Sequence, residues 1–162
     1  MASPLSEPTA ERLDLPGGYG TATKPLDWLA VRHELEIAKQ FWFATARPDG
    51  RPHVVPLDGM WIDDCWYYGG SPTTVHARIV LANPEGVMHL PDPWRAVIVE
   101  GRVDHIDLGP DDAAAMAAQA SAKYPEYGEQ PADHYETVRC LRPRRVMAWT
   151  SFPNDCTRFV FT

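Results

Sequence analysis

Residues 71–84 read SPTTVHARIVLANP and bring Ser71, Thr73, Thr74, His76 and Arg78 into one short run behind two glycines. The pattern predicts a helix over 72–82, with Pro72 suited to its first position. The first turn of a helix leaves backbone N–H groups without partners and carries partial positive charge. A phosphate placed there would accept from those N–H groups and from the three hydroxyls. Arg78 would add a planar fork of donors and His76 a ring donor. Thr74 and Arg78 are four apart and share a helix face, whereas His76 and Arg78, two apart, do not. The same residues also serve a plainer end, in which the hydroxyls cap the helix, Arg78 is a solvated charge and His76 packs. Spacing alone leaves both open.

Other groups are weaker candidates. In RPHVVPL (51–57), alternation sets His53 on one face with Val55 and Leu57. There it either touches a ligand ring or is a satisfied polar group at a barrel mouth. Trp61, Trp66, Tyr67, Tyr68 and Trp94 line a planar-ligand pocket or, more commonly for such a set, a core or an interface. RCLRPRR (139–145) concentrates Arg139, Arg142, Arg144 and Arg145. It reads as a docking site for an acidic cofactor tail or as an edge strand guarded by charge. Asp63-Asp64 is a turn, and no nucleophile–base–orienter set is legible. Cys65, Cys140 and Cys156 lack metal-site spacing and read as reduced thiols, and the scattered histidines suggest no metal centre.

The elements that must position these groups follow from periodicity. Residues 1–24 are rich in Pro, Gly, Ser and Thr and predict an extended arm, in which LPGGYG is able to pack an aromatic against the body or a partner. Asp27 caps a helix whose stripe is Trp28, Val31, Leu35 and Ala38, ending near Lys39. FWFATA (41–46) is a strand, RPDG (47–50) a turn, and RPHVVPL a return strand confined by Pro52 and Pro56 to an edge or to irregular pairing. A hairpin turns at Asp63-Asp64. GVMHL (86–90) and RAVIVEGRVDHI (95–106) are strands, the latter with Val97 and Val99 on one face. A helix over 110–124 has Asp111 and Asp112 at its start, Lys123 near its end and a stripe of Ala113, Met116, Ala117 and Ala120. PRRVMAWT (143–150) and TRFVFT (157–162) close the chain as strands. About seven strands with three helices predict a mainly β protein, a small antiparallel barrel carrying flanking helices.

At 162 residues, with 44% hydrophobic and 23% charged residues, the chain suits one globular domain. A formal charge of −7 argues against nucleic acid and anionic membranes as main partners, since both reward positive surface. No apolar run is long enough to span a bilayer, and MASPLSEPTAER has no basic region followed by an apolar core, so a cytoplasmic protein is expected.

In order and spacing, FWFATARPDGRPHVVPLDGMWIDDCWYYGG, SPTTVHARIVLANPEGVMHL and VIVEGRV together resemble the pyridoxamine 5′-phosphate oxidase-like split-barrel family. The likeness is to its flavin/deazaflavin oxidoreductase branch and runs from about Leu26 to the C-terminus, where AWTSFPNDCTRFVF is similar to the branch's closing pattern. The resemblance implies a split barrel over 25–162 behind the arm of 1–24. It implies a homodimer with two flavin-type cofactors, F420 or FMN, at the subunit interface, and a small organic substrate. His53, Val54, Val55 and Pro56 would lie along the isoalloxazine ring. Ser71, Thr73, Thr74, His76 and Arg78 would hold the phosphate. Trp149 and Arg158 would approach from the neighbouring subunit. The family usually has a Lys, Arg or His in the 75–76 pair and then x-Arg-Asn-Leu; here Val75 leaves His76 as the only basic residue of the pair, and Ile79-Val80 stand where Asn-Leu is usual. That departure keeps an alternative open, a non-catalytic barrel binding a cofactor or a tetrapyrrole.

Overall fold

Asp27 opens the first helix as the sequence predicts, its Oδ1 accepting from the Leu29 N–H at 3.3 Å. This helix, α1 (Trp28–Ile37), buries Trp28, Val31 and Leu35, and it stops short of Lys39 because Ala38 is already extended. The structure is a computed structural model and describes residues 6–162, so residues 1–5 of the expected arm lie outside the described residues.

The other elements are β1 (Thr9–Arg12), β2 (Phe41–Ala46), β3 (Pro52–Leu57), β4 (Met60–Ile62), β5 (Cys65–Tyr68), α2 (Val75–Ala82), β6 (Glu85–His89), β7 (Val97–Asp107), α3 (Pro110–Lys123), β8 (Thr137–Ala148) and β9 (Thr157–Val160). Short 3-10 turns at Pro125–Tyr127 and Ala132–Tyr135 join α3 to β8. The hydrogen-bonded path is β1-β9-β8-β7-β6-β2-β3, with β4 and β5 attached through β5 to β8. Every pairing is antiparallel. β7 occupies one edge of β8 along its length, while β5 takes residues 139–141 of the other edge and β9 takes 145–148. Two strands sharing one edge in succession is what splits the barrel.

Proline placement explains β3. It ends the sheet path, where Pro52 and Pro56 forfeit N–H donors without breaking a second ladder. Its burial alternates, with His53, Val55 and Leu57 half-buried and Pro52, Val54 and Pro56 exposed. β5 does not alternate, because both its faces are covered. Trp66 and Tyr68 join the barrel core with Phe41, Phe43, Met88 and Val99, while Cys65 and Tyr67 face α3 with Met116 and Ala120. The hairpin between β4 and β5 turns at Asp63 (φ 50°) and Asp64 (φ 57°). α3 has the predicted acidic start, basic end and small-residue stripe.

The arm is extended where it forms β1, which pairs with β9, and Tyr19 of LPGGYG meets Phe152 edge-on with ring centroids 6.1 Å apart, the packing against the body that the sequence allowed. Three local expectations are corrected. With β1 the described residues hold nine strands rather than about seven. α2 begins at Val75 rather than at 72, because Ser71 and Thr74 spend their side chains on a local turn. The Ser71 Oγ accepts from the Thr73 N–H at 3.2 Å, and the Thr74 Oγ1 donates to the Ser71 carbonyl at 3.0 Å. Such bonds compete with the helix ladder. Finally, the arginine-rich stretch 139–145 is not an edge, and three of its four arginines are paired. β8 is interior, and Arg142, Arg144 and Arg145 pair with Asp104, Glu85 and Glu100 respectively.

Candidate functional site

The loop between β5 and α2 is shaped by Gly70, whose φ of 99° only glycine adopts at little cost. Beyond it Ser71, Pro72 and Thr73 are exposed. Thr74 is the N-cap residue of α2 by backbone position but makes no side-chain cap bond, which leaves the first-turn N–H groups to solvent or to an outside acceptor. Arg78 stands one turn along α2, exposed and without an ion pair among the described residues.

His76 goes the other way. Its ring is buried, 6.4 Å from that of Phe43 and 6.1 Å from that of Tyr68, with Nε2 3.2 Å from the Thr74 Oγ1. Burial lowers its pKa, and the charges of Arg139 and His53 lower it further, so the ring is neutral near pH 7. Ile79 and Val80 are buried too, so these departures from the family pattern are packing choices on the inner face of α2. α2 lies against β2 and β3, and His53 is near enough to act on His76. The 53–56 strand and the 71–78 loop are thus neighbours.

Trp149 and Arg158 are elsewhere. Arg158 pairs in register with Met147, then Ile98, His89, Trp42 and Pro56 across successive strands. Five steps of about 4.8 Å put it roughly 24 Å along the sheet from Pro56. Its Nη1 lies 3.6 Å from Glu11, and its Nε is buried without a partner among the described residues. The Trp149 indole donates to the Pro93 carbonyl at 3.3 Å and packs on Phe152. Within one chain these two residues do not join the others.

Periodicity gave no hint of a cavity of about 540 Å³ between the β3–β5 hairpins and α3. Its walls include Tyr67, Tyr68, Tyr124, Tyr127 and Tyr135, and it reaches Leu57 at the end of β3 and Gly69–Ser71 at the start of the loop. Tyr124 fixes one side. Its hydroxyl accepts from the Gly59 N–H at 3.0 Å and has the carbonyls of Gly59 (2.7 Å) and Lys39 (2.9 Å) as acceptors. Burial raises that phenol to about 12. Tyr127 donates to the Asp58 Oδ2 at 2.8 Å. The available signal was three tyrosines within the stretch 124–135, which has no period to interpret. Of the aromatic candidates, Trp61, Trp66, Tyr67 and Tyr68 are buried, whereas Trp94 is 83% exposed.

Residues 29–150 match the family described as pyridoxamine 5′-phosphate oxidase. The chain belongs to this family. Among solved structures, this family member is similar to an F420 reductase at 27% identity, with 82% of this chain and 98% of that one covered and a TM-score of 0.57. It is also similar to an FAD-binding protein of Mesorhizobium loti (24% identity, 83% and 96% covered, TM-score 0.58). A third likeness is to HutZ, a heme storage protein of Vibrio cholerae (17% identity, 71% and 86% covered, TM-score 0.54). The last two share the fold alone. No curated protein matches the chain by sequence. The fold is the split barrel that the resemblance implied, mainly β with flanking helices. Among the described residues no helix is long and apolar enough to cross a membrane.

Proposed function

We propose that this family member is a cytoplasmic oxidoreductase that binds a flavin-type cofactor, F420 or FMN, between two copies of the chain and transfers hydride to or from a small organic substrate. One observation carries the reading. The tyrosine-walled cavity opens both at Leu57, where β3 ends, and at Gly69–Ser71, where the phosphate-binding loop would begin. A planar group along His53–Pro56 with its phosphate at the loop would border a chamber whose volume lies in the range of small-molecule sites. The F420 reductase likeness supports a cofactor of this class.

The residues present fit such a group. Val54 is 52% exposed on a strand with a free edge, so a flat ring has both backbone and apolar surface to lie on. Ser71, Thr73 and Thr74 offer hydroxyls, the start of α2 offers N–H groups and Arg78 offers a guanidinium without an ion pair among the described residues. When bound, a flavin or deazaflavin supplies the hydride chemistry itself. The chain's part is to hold the phosphate, align the ring on β3 and keep water from the substrate behind the tyrosine wall. A homodimer is supported by the outer sheet face, where Trp42 (38% exposed) and Val54 share a side with Pro56, Val87, Ile98 and Met147. Pairing two such faces would bring the partner's Trp149 and the partner's Arg158 towards the cofactor.

The test is the absorption spectrum of the protein as isolated, then titration with FMN and F420 followed by protein fluorescence, with the oligomeric state measured by sedimentation. Arg78→Ala should weaken the preferred cofactor at least about tenfold, since hydrogen bonds to charged groups contribute roughly 1.5–3 kcal/mol. A protein that is monomeric, or that binds neither cofactor, overturns the reading. A Soret band in the spectrum as isolated would favour the tetrapyrrole alternative.

A further inference from the structure

Arg139 breaks the pattern of its own strand. Arg142, Arg144 and Arg145 each face a carboxylate, but no carboxylate lies within 4.0 Å of the Arg139 guanidinium among the described residues. Yet Arg139 is only 7% exposed. Its Nη1 donates to the carbonyls of Gly69 (3.4 Å) and Gly70 (3.2 Å), the two residues that lead into Ser71. Its Nε is buried with no partner, and Nη2 is neither bonded nor buried among the described residues. The guanidinium stands 5.9 Å from the centre of the Tyr68 ring, and the Tyr68 hydroxyl is likewise buried without a partner.

A buried cation without a counter-ion is strongly unfavourable, and such groups persist where something else completes them. The neighbouring histidine does not do so, because a neutral His76 ring brings no negative charge. What the loop lacks is an anion. Its helix start is uncapped by a side chain, Ser71 and Thr73 are exposed, and Val75 leaves His76 as the only basic residue of the 75–76 pair. The cation supplied from beneath by β8 reaches the loop at Gly69 and Gly70 and brings the fixed charge that His76 does not.

We propose that Arg139 contributes the buried positive charge of an anion site at the Gly69–Arg78 loop, and that the group it neutralises is a phosphate ester. This rests on reading the loop as the phosphate end of the cofactor site, and it assigns the electrostatic centre of that end to a residue 61 positions downstream of Arg78. The Nη1 bonds to Gly69 and Gly70 hold the loop in place, while Nη2 remains for the ligand.

The experiment pairs a change in the protein with the same change in the ligand. FMN and riboflavin differ by the phosphate alone, which makes them the pair that isolates its contribution. Dissociation constants are measured by fluorescence for wild type, Arg139→Met and Arg139→Lys. The expected result is a loss of at least tenfold for FMN in Arg139→Met with riboflavin changed less than twofold, and a smaller FMN-selective loss in Arg139→Lys. Equal losses for both ligands would make Arg139 a prop for the loop and overturn the proposal, as would no loss for either. If Arg139→Met does not fold, Arg139→Lys alone decides by the same comparison. If wild type binds neither cofactor, the cofactor reading fails by itself, and inorganic phosphate tests the site. Phosphate should then raise the melting temperature of wild type but not of the Arg139 variant, and equal shifts in both would overturn it.

Discussion

Removing one oxygen from Tyr124 tests whether the wall of the cavity is held as the geometry requires. The Tyr124 hydroxyl is the sole hydrogen-bond acceptor for the buried Gly59 N–H among the described residues, and it ties the end of α1, the β3–β4 connection and the end of α3 together. Tyr124→Phe keeps the ring, which is 5% exposed and stacks 5.9 Å from Tyr127, so little apolar burial is lost. The orphaned Gly59 N–H costs about 1–3 kcal/mol and the donated bond contributes about 1 kcal/mol, giving roughly 3 kcal/mol in all. For a chain of this size that lowers the melting temperature by about 6–12 °C. Urea denaturation at fixed protein concentration, with the m-value checked for constancy, measures the difference directly. The control is Tyr127→Phe, whose hydroxyl meets Asp58 at an exposed site and should change stability by less than about 0.5 kcal/mol. If the two variants denature at the same urea concentration, the hydroxyl does not hold the three elements, and the cavity wall is not fixed as argued.

Two further outcomes are expected. A Cβ at Gly101 would collide with the Arg142 carbonyl across the bulge between β7 and β8. Gly101→Ala should therefore cost about 3 kcal/mol in a thermal melt, at the upper end for overpacking, while Gly17→Ala, with nothing within 4 Å of its Cβ, should be nearly silent. Lys123 is lowered from the ordinary 10.5 to about 8 by burial and by the nearby Lys39. Between those values the unfolded chain binds the proton that the folded one has released, so stability rises with pH across the window. Wild type should thus gain on Lys123→Met between pH 7 and pH 9.5 by urea denaturation, and an unchanged gap would show that burial does not perturb the amine.

The α2 boundary shows where sequence reasoning met its limit locally. Hydroxyls ahead of an apolar period signal a helix start, but whether they cap the helix or bond among themselves depends on the φ of Gly70 and the turn it permits. The candidate site is legible to the same degree. Its loop and its strand are visible as a motif and as an alternation, whereas the inward turn of His76 follows from the packing of α2 on Phe43 and Tyr68.

By itself the sequence determined the local faces: the stripe of α1, the small-residue face of α3, the edge position of β3 and the family that their order betrays. These are properties of spacing within one element, and spacing is what a chain carries along its length. Tertiary structure alone decided that Arg142, Arg144 and Arg145 are neutralised while Arg139 is not, since their partners at positions 85–104 are set by strand register and a bulge. It also decided that tyrosines after α3 wall a chamber beside residues 57–71, and that the arm supplies a strand to β9. Contacts between distant segments depend on how edges pair and faces stack, and no period within a segment records which segment will lie across from it.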